Sequence, residues 1–434
     1  MPERTAVARL LWRPLEAFFR TEALGSVLLV LAAAIALVWA NSGWQHVYRT
    51  LWSAEVRLGT ETVGLSKPLV VWINDLLMAI FFLLVGLEIK RELVVGELNR
   101  FDKAVLPVAA AVGGMAAPAL LFLTLAPEGA ASRGWGVPMA TDIAFALGCL
   151  RLLGRRVPAS LLVLLTALAI IDDLGAIAVI AFFYSEKLSA GALALAAAVT
   201  MVLLLMNRMG VQQPSWYLLT GLVLWVAVLN SGVHATIAGV ILGLVMPARA
   251  RYNRSEVCSE ARQLLTLAES ADRHEAALAL ETLERRLREC QSPLSRLEHA
   301  LHPWVAYGIM PLFALANAGV NLAGLSWTAL GEPVSLGILL GLFVGKQLGV
   351  FGATWLAVKA RWAAAPAGVT WRHIYGMSLL AGIGFTMSLF IAALAYGEGS
   401  ALHQQAKIGI LAASSVSAVA GLLVLSSQPA EGRA

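Results

Sequence analysis

Apolar residues do not alternate with polar ones in this chain; they run together. Long hydrophobic stretches fall near residues 22–40, 68–88, 104–125, 135–150, 158–184, 188–206, 214–230, 232–247, 303–321, 334–357, 373–396 and 406–427. A bilayer core is about 30 Å thick, so about 20 apolar residues cross it as a helix. Lipid offers no water to backbone N–H and C=O groups, and a helix satisfies them internally. The pattern predicts an all-α membrane protein with twelve transmembrane helices. Leu229-Asn230-Ser231-Gly232 reads as the tight turn between the seventh and eighth. Two polar stretches interrupt the series. In residues 41–67, His46-Val47-Tyr48 and Val56-Arg57-Leu58 flank turn-compatible residues, as in a short β-hairpin. Residues 248–300 mix charges of both signs with Leu264, Leu265, Leu267, Ala268, Leu283 and Leu287 at helical spacing, which suits a helical hairpin or a pair of surface helices, with a plain solvated linker as the simpler alternative. The organisation expected is helices 1–8 over 1–247, a charged helical insert over 248–300, and helices 9–12 over 301–434.

Composition sharpens this. Of 434 residues, 59% are hydrophobic and 14% charged, against about 25% charged in ordinary soluble domains. A disordered chain or a nucleic-acid-binding protein is excluded, and a large soluble enzyme disfavoured. The net charge of +5 belongs to the loops. Lys90, Arg91, Arg100, Lys103, Arg151, Arg155, Arg156, Arg208, Lys359, Arg361 and Arg372 fall on one side, with Arg4, Arg9, Arg13 and Arg20 of the N-terminal tail. The other side holds Arg49, Arg57, Lys67, Arg133 and Lys187. The side rich in Lys and Arg is cytoplasmic, so both termini are expected there. The run at 22–40 is too long for the apolar core of a cleaved signal peptide. Cys149, Cys258 and Cys290 show no metal-ligand spacing and no disulfide framework.

A charge at the bilayer centre costs about 2.5–3.5 kcal/mol or more, so each one points to function. Asp75, Asp142, Asp172, Asp173 and Lys346 stand within apolar runs. The clearest signal is Ala169-Ile170-Ile171-Asp172-Asp173-Leu174-Gly175-Ala176, two carboxylates in mid-span. Neighbouring carboxylates repel, which raises at least one pKa toward neutral. They also offer hard oxygen ligands to a small hard cation. Proton and metal ion then compete for the same oxygens, and that competition becomes exchange once access alternates between the two sides. Lys346 sits in the middle of the tenth run and suits a salt bridge to a buried aspartate, broken when the cation binds.

Residues 104–184 comprise a helix, an interrupted segment and a helix, and residues 334–427 repeat that order. One set begins at the third span and the other at the tenth, so the two are opposed in the bilayer, as in secondary transporters. The interruptions are Pro138-Met139-Ala140-Thr141-Asp142 and Ala381-Gly382-Ile383-Gly384. Pro138 breaks the helix ladder, and the two glycines weaken it. Helices 4 and 11 are therefore expected to be discontinuous, with Asp142 balancing facing N-termini and a cation facing C-termini. Asp75 follows Trp72-Ile73-Asn74 near one end of the second span, where an interfacial helix N-cap is a rival reading, and Glu88 and Glu92 share a face near its other end, where ordinary interfacial charge is the alternative. Arg296, Glu298, His299 and His302 cluster before Pro303-Trp304; histidines beside a carboxylate titrate near neutral pH. His234 reads as a hydrogen-bonded core histidine.

The stretches WINDLLMAIFFLLVGLEIKREL, ATDIAFALG, ALAIIDDLGAI, SGVHATIAGV, LEHALHPWVAY, LFALANAGV, GKQLG and AGIGFTMSLFIA resemble the NhaA-type Na+/H+ antiporters across residues 68 to 396. The resemblance implies a multi-pass protein of the bacterial inner membrane that exports Na+, and Li+, in exchange for protons, without a cofactor. It implies Asp172 and Asp173 as the ion-binding pair, Asp142 and Lys346 as charge compensation at crossed half-helices, and Thr141 at that crossing. It places Asp75 in an outer funnel, and Glu88, Glu92, Glu298, His299 and His302 in a cytoplasmic pH-sensing cluster. It implies a homodimer through the outer hairpin within 41–67. The insert between Arg251 and Ser292 is longer than the resemblance leads one to expect. A sodium-coupled organic-anion symporter is a rival of the same architecture, but no arginine sits in mid-span to receive a carboxylate. An intramembrane aspartyl protease would place its aspartates on two helices, and a passive channel leaves the buried lysine without a purpose.

Overall fold

The computed structural model describes residues 23–59, 64–185, 188–249, 254–270, 272–321 and 327–428. Arg4, Arg9, Arg13, Arg20, Lys187 and Arg251 lie outside the described residues, as do the side chains of Arg155, Cys258, Arg285, Leu287 and Arg288. Each of the twelve apolar runs carries helical backbone. Among the described residues, six helices are long and apolar enough to cross a bilayer: Leu69–Val94, Phe101–Leu125, Ala159–Phe183, Ala190–Arg208, Pro333–Lys359 and Ala401–Ser426. Two bent pairs pass the same test as pairs: Leu24–Ala40 with Gln45–Ser53, and Trp371–Leu380 with Phe385–Tyr396. Pro214–Leu229 and Thr236–Val245 are shorter apolar helices. Between these two, Gly232 adopts φ 85° in the turn expected at 229–232.

The chain divides into two compact units. The first comprises Met1–Met78, Glu97–Glu186 and Trp304–Ala434, and so holds both halves of the suspected repeat. Within it, Phe101–Leu125 and the tenth run touch backbone to backbone. A Cβ built at Gly349 would lie 2.1 Å from the Gly113 carbonyl oxygen, and one at Gly345 would lie 2.7 Å from Pro118 Cα. The tenth run is not a plain α-helix. Widened π turns at Gly341–Gly345 and Gln347–Phe351 flank Lys346; such turns often mark functional positions.

An antiparallel hairpin pairs Glu55–Gly59 with Gly64–Pro68. The arm expected at Val56–Leu58 is a strand, but the arm expected at His46–Tyr48 is not. Those residues belong to the helix Gln45–Ser53. Tyr48 and Trp52 lie four apart on one buried face, and Tyr48 meets both Trp39 and Trp52 edge-on. That packing overrides the β preference of the segment.

The second unit comprises Ala79–Gly96 and Lys187–Pro303. Gly239 lets helices close here: a Cβ there would lie 2.1 Å from the Ala79 carbonyl oxygen. The insert forms two helices, Arg254–Ser270 and Arg273–Glu289, followed by Pro293–Trp304. Arg286 Nε reaches Glu260 Oε1 at 3.1 Å, so the first two run antiparallel. Their buried apolar residues include Val257, Ala279 and Leu283, whereas Leu265 and Leu267 are exposed.

Candidate ion-exchange site

The two sequence interruptions meet. Before the first, residues Ala131–Met139 wind as a tight 3-10 helix ending just after Pro138. Ala140 and Asp142 are extended, and an α-helix restarts at Ile143–Leu152. The eleventh run unwinds between Trp371–Leu380 and Phe385–Tyr396, bent by 43°. The unwound backbones bond to each other. The Asp142 N–H donates to the Ile383 carbonyl at 2.6 Å, and the Thr141 hydroxyl donates to the Ala381 carbonyl at 2.9 Å. The Ser388 hydroxyl donates to the Val137 carbonyl at 2.8 Å. Backbone groups that a continuous helix would satisfy internally are thus satisfied across the crossing.

Asp142 serves two helix starts at once. Its Oδ1 accepts the Phe145 N–H at 3.0 Å, capping Ile143–Leu152. Its Oδ2 accepts the Thr386 N–H at 3.0 Å and the Thr386 hydroxyl at 2.5 Å, at the start of Phe385–Tyr396. One buried carboxyl group therefore faces two partial positive helix ends.

Lys346, Asp172, Asp173, Asp142 and Thr141 are all buried to 2% exposure or less. Lys346 Nζ forms an ion pair with Asp172 Oδ2 at 2.6 Å and donates to Thr141 Oγ1 at 2.9 Å. The negative charge of Asp173 also acts on Lys346. Asp172 Oδ1 is buried without a hydrogen-bond partner among the described residues. A hydrogen-bond chain runs from Asp172 through Lys346 and Thr141 to the Ala381 carbonyl at the helix break. Gly114 leaves the room: a Cβ there would lie 2.7 Å from Val350 Cγ2 and 3.8 Å from Lys346 Nζ. Such an arrangement can trade one partner of a carboxylate, an internal ammonium or a proton, for a cation. Among the described residues no three His, Cys, Asp or Glu side chains converge as a metal cluster.

The family model described as Na+/H+ antiporter 1 matches residues 16–425. The chain belongs to this family. A protein of Oleidesulfovibrio alaskensis named Na(+)/H(+) antiporter NhaA is 52% identical over 420 residues, covering 95% of this chain and 93% of that protein. Proteins of the same name from Koribacter versatilis and Pseudomonas putida are 49% and 50% identical, each over more than nine-tenths of both chains. These names give no support to an organic-anion symporter. Asp75 stands in the π turn Ile73–Leu77 and pairs with Lys67 of the hairpin at 2.7 Å. In the second unit, Arg91 pairs with both Glu298 and Glu92. Glu88 lies one helical turn before Glu92. Arg296 donates to the Gln212 carbonyl at 2.6 Å, and the exposed His299 ring meets the Ser295 carbonyl on its own helix at 2.6 Å. His302 is half-buried. His234 faces the Thr236 hydroxyl at 3.3 Å.

Two participants escaped the sequence reading. Thr386 carries the second hydroxyl on Asp142, and its position two residues after a Gly-x-Gly break was the available signal. Arg91, which joins Glu92 to Glu298, looked like one loop charge among many.

Proposed function

We propose that this protein is an integral-membrane Na+/H+ antiporter in which Asp172 and Asp173 bind either Na+ or protons, exporting Na+, and also Li+, from a bacterial cytoplasm as protons enter. One observation carries this reading: in a fully buried site, Lys346 sits 2.6 Å from one of two adjacent carboxylates, beside two crossed, unwound helices. Without metal, Lys346 is the partner of Asp172. Arrival of Na+ at the pair displaces any proton on Asp173 and breaks the Lys346 pair, so that the freed ammonium gives up its own proton; returning protons reverse both changes. If two protons leave for each Na+, each cycle moves net charge and responds to membrane potential. Thr141, Asp142 and Lys346 keep the unwound ends compensated while access alternates between the two faces. The ions are cargo; no cofactor is required, and no catalytic activity is indicated. Calorimetry tests the competition directly. Na+ affinity should fall about tenfold per pH unit on the acid side for one displaced proton and about a hundredfold for two, with proton release on binding; affinity indifferent to pH would end the proposal.

The full topology belongs to the same proposal: twelve crossings in the bacterial inner membrane, both termini cytoplasmic, and opposed repeats of helices 3–5 and 10–12. So does the partition into helices 1–8, a cytoplasmic insert over 248–300, and helices 9–12, with lipid around the spans. Asp75 is proposed to line the outer funnel, and the hairpin to join two copies. Glu88, Glu92, Arg296, Glu298, His299 and His302 are proposed to sense cytoplasmic pH, with Arg91 as the charge that Glu92 and Glu298 share. Glu298→Gln should shift the cytoplasmic pH profile of exchange by about one unit. An unmoved profile in everted vesicles removes Glu298 from that role.

A further inference from the structure

The hairpin end of the first unit holds polar groups that the exchange site does not use. Asn74 and Asn317 are buried at 5% and 2% exposure and bond reciprocally, at 2.9 Å and 3.3 Å. Asn74 Nδ2 also donates to Glu398 Oε1 at 2.5 Å. Glu398 lies in the short connection between Phe385–Tyr396 and Ala401–Ser426. Gly397 and Gly399, at φ 73° and 79°, form the tight turns that bring it back beside Asn74. On the next helix, His403 and Lys407 stand one turn apart, 2% and 7% exposed. The charge of Lys407 acts on both Glu398 and His403. His403 Nδ1 accepts the Gly399 N–H at 3.3 Å, which puts the proton of a neutral ring on Nε2. That Nε2 is buried with no hydrogen-bond partner among the described residues. Asp75, paired with Lys67, is the other carboxylate facing Glu398.

The chemistry of this group selects its ligand. Glu398 balances Lys407, and Asp75 balances Lys67, so a metal cation would arrive with no charge left to meet it. The Asn74 amide presents N–H, not oxygen, to Glu398, which suits a carboxylate and repels a cation. A proton fits both facts. Glu398 is the exposed member of an otherwise buried set, so solvent reaches it first. The residue is exposed along its stem, but its carboxyl group is turned in against Asn74, and desolvation there raises its proton affinity above that of an ordinary carboxylate; the Asn74 bond and the Lys407 charge oppose this, and the Asp75 charge adds to it.

We propose that Glu398 is a second proton-binding site, remote from Asp172 and Asp173, that loads from the membrane face bearing the hairpin. Its state is passed to the half-helix Phe385–Tyr396 on which it is mounted, whose other end is held by Asp142. This rests on the exchange reading above. Na+-driven proton flux is measured in right-side-out and everted vesicles, with pH varied on each face in turn. Glu398→Gln keeps the acceptor for Asn74 and removes the titration. It should shift or flatten the profile on the hairpin face by about one unit, leaving the opposite face and the Na+ KM unchanged. Lys407→Met should move the hairpin-face profile upward by about one unit, because Glu398 loses its cation. A Glu398→Gln profile that superimposes on the parent overturns the proposal, as does a change equal on both faces or confined to KM. Calorimetric Na+ binding by purified Glu398→Gln protein shows that the variant is folded. A parent protein without Na+-driven proton flux would overturn the exchange reading instead.

Discussion

Asp173→Asn and Asp172→Asn are each expected to reduce Na+-stimulated proton flux in everted vesicles by at least about 100-fold, since each removes a proposed direct ligand. The two variants should differ in stability. Asp173→Asn leaves the Lys346–Asp172 pair in place, so the protein should melt close to the parent. Asp172→Asn removes the paired carboxylate from a lysine that is 0% exposed, leaving it the Thr141 hydroxyl. Breaking a buried pair from one side costs about 3–5 kcal/mol, so this variant should melt earlier. Retained flux in both variants would remove the carboxylate pair from the mechanism. Equal melting would show that the Lys346–Asp172 pair does not hold the site together.

Asp142→Ala should destabilise the protein by about 3–5 kcal/mol, from donors left without an acceptor and from loss of the charge opposite two helix dipoles. The Phe145 N–H, the Thr386 N–H and the Thr386 hydroxyl all lose their partner. Asp142→Asn keeps one acceptor oxygen and should be milder. Thermal unfolding of purified protein reads both. An Asp142→Ala protein that melts with the parent would mean that the crossing is held by its backbone bonds alone, such as that from Asp142 N to Ile383 O.

The helices and the charged residues of the candidate exchange site were legible one residue at a time. Apolar runs must become helices in lipid, and Pro138 and the glycines at 382 and 384 must weaken them. Charges such as Asp172 and Lys346 are too costly in mid-span to be incidental. None of this needs knowledge of neighbours. The helix Gln45–Ser53 was misread for the complementary reason: its fate depends on Tyr48 packing on Trp39, a contact across a bend.

Pairing is what local pattern leaves open. Lys346 and Asp172 are 174 positions apart, and Thr386 and Asp142 are 244 apart. Hydropathy marks each as buried but carries nothing about which group answers which. Those choices follow from glycine contacts such as Gly113 on Gly349, which set how closely two helices approach, and from π turns that re-aim Lys346. The Glu398 network is the extreme case. Its members come from three separated segments, and none is unusual until the turn at Gly397 and Gly399 brings Glu398 against Asn74. Local chemistry dictated which residues carry charge into the membrane; the packing of distant backbones decided which charges meet.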